Sequence, residues 1–272
     1  MQQRRVLYIG AHPDDADILF GGTAYQLTHA GHLVKFISVT NGDTGHQTLP
    51  REETARIRRL EAFESAKRGG LVEYQVLDHN CGVEASVANR RELIRLIRKF
   101  RPDVVVSHRT CDYHPDHRAT AQLVADTAYV LMVPHFCEDT PIPDQAPVYA
   151  FSHDAFQDPR PLRVDAIVEF DSVLDEKLHI LDSHKSQFYE WLPWIGGMKD
   201  FDPAKMADPK AKRKHLLYWC ERFRKITDAN RALLKKVYGA KKGAAIQYAE
   251  VFEQSAYSRQ LPQEEFQKLF MP

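Results

Sequence analysis

Residues 6–16, VLYIGAHPDDA, place a cluster of polar side chains directly after a predicted strand. The apolar run at 6–9 predicts a short buried strand, and Gly10 lets the backbone turn sharply where that strand ends. Ligands of open α/β sheets bind in the crevice outside the carboxyl ends of the strands. An imidazole and two carboxylates would be costly to bury there without partners. We therefore expect this turn to belong to a functional site.

Strand-like and helix-like segments alternate along the first half of the chain. The strand patterns lie at 6–9, 33–40, 74–77 and 104–107, and the helix patterns at 18–30, 51–67, 89–100 and 119–131. Alternation of this kind predicts parallel βαβ units with right-handed crossovers. We therefore predict an α/β fold: a Rossmann-like, mostly parallel sheet flanked by helices, with the site at the carboxyl ends of its strands.

The second half of the chain is less regular. Residues 148–152 and 166–170 have the character of later strands, while 173–184 and the basic stretch 212–237 have helical patterns. Because there is no internal repeat, we predict a single domain over 1–272, with a helical C-terminal extension from about residue 200.

The composition is that of an ordinary globular protein: Lys+Arg and Asp+Glu both total 37, and 43% of the 272 residues are hydrophobic. This balance gives no reason to expect nucleic-acid or membrane-surface binding. No apolar run approaches the ~20 residues of a transmembrane helix, and we expect no signal peptide because residues 1–5 lead directly into the first strand. Four scattered cysteines favour reduced thiols and a cytoplasmic location.

A second polar loop, residues 108–117 (HRTCDYHPDH), follows the predicted strand 104–107, just as the first motif follows its own strand. His114 and His117 lie three residues apart around an aspartate. This arrangement suits one metal ligand and one catalytic imidazole.

The two motifs together predict a metal site. His12 and Asp15 can converge on one ion, and Asp14 between them points elsewhere, as a free base would. Adding His117 gives a set of two histidines and one carboxylate, with open positions for water. Catalytic zinc uses three protein ligands and a water, but non-haem iron uses the same triad, so ligand type alone leaves zinc and iron open.

At these residues the chain resembles the zinc-dependent de-N-acetylases related to N-acetylglucosaminyl-phosphatidylinositol deacetylase, the PIG-L-like or LmbE-like family. The family's A-H-P-D-D-E run corresponds to 11–16, with Ala16 in place of the glutamate, and its H-P-D-H corresponds to 114–117. Similarity extends through 40–43, the helix 51–62 and an H-x-S-Q at 184–187. The missing glutamate is not a ligand in the family pattern.

The resemblance implies a hydrolase that removes acetyl from an N-acetylated amino sugar or glycoconjugate of the GlcNAc type through zinc-bound hydroxide. It implies these zinc ligands: His12, Asp15 and His117. Asp14 would be the general base, and His114 would stabilise the oxyanion and could protonate the leaving amine. Asp116 would orient His114 or His117 as an outer carboxylate.

Three further residues are candidates for substrate binding. Arg51 begins a helix after the loop 41–45, where the family has a sugar-binding arginine, although a solvated helix charge explains it equally well. Asp43 could hold a substrate hydroxyl or be a turn residue, and Tyr113 could contact the substrate from the second motif. The aromatic segment 188–198 could be a lid, core or subunit interface, and 212–242 is best explained as a solvated amphipathic helix.

Other functions remain open at this point. An iron-dependent oxidoreductase could use the same ligands, but it would need no base such as Asp14. An amidase of a thiol-sugar conjugate would use the same amide chemistry. A nucleotide-binding module is disfavoured because Gly21 and Gly22 lie inside a helix and not in a G-x-G-x-x-G turn. The expected partner is a small N-acetyl sugar or glycoconjugate, and a homo-oligomer is compatible with the sequence.

Overall fold

The computed structural model describes residues 3–272, which contain one seven-stranded sheet. In chain order the strands are β1 Arg5–Gly10, β2 Leu33–Thr40, β3 Glu73–His79, β4 Val104–Ser107, β5 Val148–Ser152, β6 Ala166–Glu169 and β7 Ala249–Gln254. Their order across the sheet is β3-β2-β1-β4-β5-β7-β6. The first five strands pair in parallel, and β7 is antiparallel to both β5 and β6. The predicted α/β fold with a mostly parallel sheet is confirmed.

Helices cover both faces of this sheet. They are α1 Asp15–His29, α2 Arg51–Gly69, α3 Val87–Phe100, α4 Pro115–Val130, α5 Leu174–Leu181, α6 Leu192–Ile195, α7 Pro209–Ala229, α8 Arg231–Tyr238, α9 Ala240–Ala245 and α10 Gln263–Lys268. Short 3₁₀ segments occupy Asp171–Val173 and Pro203–Ala207, and a π-helical turn occupies Gln187–Trp191. Alternate residues of β1 serve different cores: Tyr8 packs with Phe20 of α1, and Ile9 packs with the α3 and α4 side. This is the two-residue period of a strand buried on both faces.

Strand β7 corrects the prediction that the region after residue 200 is only helical. All six of its residues are buried, and it lies inside the sheet between β5 and β6. Its sequence, AEVFEQ, hides the strand because Glu250 and Glu253 make it look polar. Both carboxylates are paired in the structure, Glu250 with Lys177 and Glu253 with Arg160.

Two predicted helix boundaries also differ. The basic stretch 212–237 is not one helix, because α7 ends at Ala229 and α8 begins at Arg231. Helix α1 begins at Asp15, so the acidic motif forms its first turn, where negative charge is favourable. Among residues 3–272, none of the helices combines the length and the apolar character required to span a bilayer.

The buried pair of Lys177 and Glu250 yields a prediction about stability. Both side chains are fully buried; Lys177 Nζ also donates to the Ile18 carbonyl at 2.9 Å, and Glu250 accepts from the backbone N–H of Thr23 at 2.8 Å. Lys177→Met would leave a buried carboxylate without its cation, so we expect the free energy of unfolding in urea to fall by about 3–5 kcal/mol. The exposed pair Arg56–Glu53 offers the control: Arg56→Met should change it little. Equal effects of the two substitutions would contradict this account.

Candidate metal centre

A cavity of about 390 Å³ lies at the carboxyl ends of the five parallel strands. Its walls come from the loop after each of them and from the segments around α6 and α7. The lining residues include His12 after β1, Gly45 after β2, Cys81 after β3, His117 after β4 and His153 after β5. Because parallel strands all end at the same edge of the sheet, motifs distant in sequence meet here.

The three predicted metal ligands come together in this cavity. His12 Nδ1 lies 3.2 Å from His117 Nε2 and 3.6 Å from Asp15 Oδ2, and His117 Nε2 lies 3.3 Å from Asp15 Oδ1. Ligands bound tetrahedrally at zinc–ligand distances of roughly 2.0–2.1 Å stand about 3.3 Å apart. Asp15 offers a different oxygen to each histidine, so the three residues are close enough to share one ion, and a tetrahedral ion would leave one position open.

Each histidine of this set has an outer carboxylate partner, as metal-bound histidines usually have. His12 Nε2 lies 3.3 Å from Asp116 Oδ2, and His117 Nδ1 lies 3.2 Å from Asp112 Oδ2. Asp116 is itself fixed, because its other oxygen accepts from the Gly82 N–H at 2.9 Å. The structure thus corrects the assignment of Asp116: its carboxylate contacts the His12 ring and not the rings of His114 or His117.

Asp15 is held from three sides. Its Oδ2 accepts from the backbone N–H of Ala11 at 2.9 Å and of His12 at 2.8 Å, and it lies 3.2 Å from His108 Nε2. The buried His108 ring also stacks on His117, with ring centroids 4.2 Å apart. The sequence reasoning did not single out His108. Its signal was its position as the first residue after β4.

The electrostatics of the centre favour a cation. Burial acts to lower the pKa of His117, but the carboxylates of Asp15 and Asp112 outweigh it and raise the pKa to about 9. His117 and His108 keep the pKa of Asp15 well below its usual value despite burial. A metal that binds here must displace the proton from His117.

His114 differs from the other histidines of the cluster. Burial, together with the neighbouring rings of His12 and His117, lowers the pKa of His114 to about 4, so the ring is neutral at neutral pH. Its Nδ1 accepts from the backbone N–H of Asp116 at 3.1 Å. A neutral ring that accepts at Nδ1 carries its proton on Nε2. His114 therefore offers a hydrogen-bond donor to the cavity.

Asp14 is a buried carboxylate held by Arg58, outside the three-ligand set. Its Oδ1 accepts from the Arg58 guanidinium at 2.7 Å, and Arg58 also donates to the Gly42 carbonyl at 3.1 Å. A Cβ at Gly42 or Gly45 would lie 2.5 Å from this guanidinium, so a side chain at either position would displace Arg58. The sequence analysis did not single out Arg58, whose side chain is buried.

Two of the three predicted substrate-binding residues do not line the cavity. Arg51 lies outside it, where its guanidinium pairs with Asp43 Oδ2 at 2.6 Å. The other oxygen of Asp43 accepts from the Cys81 N–H at 2.8 Å, so this carboxylate connects the loops after β2 and β3. Tyr113 does line the cavity, and it is exposed.

The H-x-S-Q motif at 184–187 stabilises the elements that surround the site. His184 Nε2 lies 2.7 Å from Asp17 Oδ2 in α1, and Ser186 donates to Glu61 of α2 at 2.7 Å. Gln187 donates to the Gly45 carbonyl at 3.0 Å and lines the cavity. These buried polar contacts connect the first helices to the loop that surrounds Arg58.

The aromatic segment 188–198 has one of its predicted roles, core, at its start and lines the cavity further along. Phe188 is fully buried in a core with Phe223, whereas Trp191 and Leu192 line the cavity. Trp194 stacks on Trp191 with ring centroids 5.3 Å apart and is exposed. The segment is therefore core at its start and cavity wall at its centre.

Comparisons of the amino-acid sequence identify similar proteins. Residues 7–128 match the family described as PIG-L: GlcNAc-PI de-N-acetylase. The chain is 28% identical over 211 residues to diacetylchitobiose deacetylase of Thermococcus kodakarensis, covering 71% of this chain and 75% of the relative.

Two solved structures share the fold along nearly the whole chain. N,N'-diacetylchitobiose deacetylase of Pyrococcus horikoshii has a TM-score of 0.67 at 23% identity, covering 93% of this chain and 84% of the other. A 4-carboxy-2-hydroxymuconate hydratase of Pseudomonas putida has a TM-score of 0.70 at 18% identity, covering 96% and 99%. Since a deacetylase and a hydratase both have this fold, function must be argued from the site. The matched residues contain both His-Asp motifs, and the predicted resemblance to the PIG-L/LmbE-like deacetylases is confirmed.

Proposed function

We propose that this protein is a zinc-dependent hydrolase that removes the acetyl group from an N-acetylated amino sugar or glycoconjugate of the GlcNAc type. The observation that carries the proposal is Asp14: a buried carboxylate that is held by Arg58 and lines the same cavity as the three proposed ligands. Hydrolysis needs such a base next to the attacking water. The relationship to a diacetylchitobiose deacetylase supports the sugar class.

Zinc fits the ligands better than iron. The nearest atoms of His12, Asp15 and His117 lie 3.2–3.6 Å apart, with a different Asp15 oxygen facing each histidine, and such spacings support a tetrahedral ion. When bound, zinc would acidify a water molecule and polarise the acetamide carbonyl. An iron oxygenase would also need no general base such as Asp14. The iron-dependent oxidoreductase is therefore the second candidate function.

The chain's own residues account for the proton movements. Asp14 Oδ1 is bound by Arg58, while Oδ2 has no hydrogen-bond partner within residues 3–272. Oδ2 accepts the proton of the attacking water as oxygen bonds to the acetyl carbon. As the C–N bond breaks, Asp14 returns this proton to the leaving nitrogen, and the products are acetate and an amine.

His114 has the properties of an oxyanion donor and not of an acid. With a pKa of about 4 the ring is a neutral imidazole at neutral pH and lacks the second proton that a general acid would transfer. Its Nε2–H can donate to the carbonyl oxygen as negative charge develops there. Such a hydrogen bond stabilises the charge more in a site shielded from water than it would in water. We therefore assign the final protonation of the amine to Asp14.

The test combines metal analysis with product detection. Purified protein would be analysed for zinc and iron, then assayed for acetate release from N-acetylglucosamine, N,N'-diacetylchitobiose and an N-acetylglucosaminide with an acidic aglycone. We expect zinc and acetate release from at least one of them. Stoichiometric iron would contradict the zinc assignment. Zinc without acetate from any compound, but with amine release from a thiol-sugar amide, would favour the amidase.

The Arg58–Asp14 pair predicts that substitution of Arg58 lowers kcat, although Arg58 itself contacts no reacting atom. Arg58→Gln leaves Asp14 without its cation and its fixed orientation, so we expect kcat to fall by roughly 10–100-fold with KM little changed. Arg58→Lys should recover part of the loss because it restores the charge. Arg51→Gln is the matched control from the same helix, and it should alter kcat little because Arg51 lies outside the cavity. A larger effect at Arg51 than at Arg58 would overturn this assignment.

A further inference from the structure

One wall of the cavity is formed by residues outside the stretch 7–128 that matches the family. His153 and Phe156 follow β5, while Trp219 and Arg222 lie three residues apart on α7. Residues with this spacing share one face of a helix. This wall is a feature of the chain's own second half, and the hydrolytic mechanism does not use it.

Arg222 carries the unpaired positive charge of the cavity. Within residues 3–272 its guanidinium makes no hydrogen bond or ion pair, although it lines the cavity and is exposed there. The carboxylates of the cavity already have partners. These pairs are Asp14 with Arg58, Asp15 with His117, Asp112 with His117, and Asp154 with Arg109. No carboxylate of the cavity wall is therefore left to neutralise Arg222.

His153 is a second unsatisfied polar group on the same wall. The side chain is 9% exposed, and its buried Nδ1 has no hydrogen-bond partner in the described part of the chain. Burial lowers the pKa of His153 to about 4, so the ring is neutral and can offer one N–H. Because Nδ1 is enclosed by protein, the other ring nitrogen, Nε2, is the one that can present an N–H to a group in the cavity.

We propose that Arg222 and His153 form a subsite for an oxyanion, a carboxylate or a phosphate, carried by the substrate beside its N-acetyl amino sugar. A planar guanidinium binds such groups through two parallel hydrogen bonds. The neighbouring Trp219 offers an aromatic face to the sugar ring. The preferred substrates are then acidic glycoconjugates and not neutral N-acetyl sugars. This inference rests on the proposed function for the position of the sugar.

The test measures binding of deacetylated compounds, so it does not depend on turnover. Methyl glucosaminide, glucosamine 1-phosphate and the glucosaminide of malate would be titrated into the zinc-loaded protein by calorimetry. We expect at least one acidic compound to bind about 10–100-fold more tightly than the neutral one, as hydrogen bonds to charged groups provide. The phosphate and carboxylate compounds identify which oxyanion is preferred.

Three variants test whether this wall causes the preference for acidic over neutral compounds. Arg222→Gln should remove most of it without weakening the neutral compound, and His153→Phe should reduce it. Lys225→Gln makes the same charge change one turn further along α7, at an exposed residue that does not line the cavity, and it should leave the preference intact. Equal binding of acidic and neutral compounds, or no measurable binding of the acidic ones, would overturn the subsite.

The acetate assay separates this inference from the proposed function. Acetate release without a preference for acidic compounds leaves the deacetylase in place and overturns the subsite. A preference lost in Arg222→Gln, with no acetate release from the acidic N-acetyl glycosides, supports the subsite and contradicts the deacetylase.

Discussion

Asp14→Asn is expected to lower kcat for acetate release by about 10²–10⁴-fold, the usual contribution of a general base. The asparagine has the same size, and its Oδ1 can still accept from Arg58, which donates to Asp14 at 2.7 Å. It cannot take a proton from water at Oδ2. The loss should therefore appear in kcat, with metal content and substrate KM close to those of the unchanged protein.

The measurement is kcat and zinc content on the same preparation. Asp78→Asn is the matched control, because it makes the same chemical change at a carboxylate that is 84% exposed and pairs with Arg59. Near-normal kcat in Asp14→Asn would exclude Asp14 as the base. If instead the variant loses its zinc, Asp14 is a ligand and the division of roles in the first motif is wrong.

The centre of the site could be predicted from sequence because each part of it is local. His12, Asp15 and His117 lie within a few residues of strand ends, and parallel strands bring their ends together without further information. The apolar runs that define β1 and β4 carry a strong pattern. Two short motifs were therefore enough to predict that His12, Asp14, Asp15 and His117 lie together.

The supporting residues could not be predicted in this way. Arg58 lies on α2, whose buried face is largely polar, so the hydrophobic pattern that identifies an inward face is missing. Asp112 and Asp116 lie close to His114 and His117 in the sequence. The direction of each side chain alone decides that Asp116 contacts His12 and Asp112 contacts His117. Strand β7 was missed for a related reason, since the buried Glu250 is stabilised by distant partners, Lys177 of α5 and the backbone N–H of Thr23.

Removing a predicted ligand should have a different signature from removing the base. His117→Ala deletes one of three ligands that stand 3.2–3.3 Å from their neighbours in the set, so we expect loss of bound zinc and, with it, loss of acetate release. Chelation of the unchanged protein should give the same inactive state, and added zinc should restore activity to the chelated protein but not to the variant at the same concentration.

Asp112→Asn should weaken zinc binding less than His117→Ala does. The Asp112 carboxylate contacts His117 Nδ1 at 3.2 Å but lies outside the proposed ligand set. Changes to such an outer partner lower metal affinity by roughly 10–100-fold, so excess zinc should rescue this variant. His117→Ala should lower the affinity further than that. If His117→Ala retains stoichiometric zinc, the ion is held by another set in the same cavity, such as His12 with Cys81 and Asp116, whose ligand atoms are also close enough to share one ion. Affinities of the two variants, measured by competition with a zinc chelator, decide between these two sets.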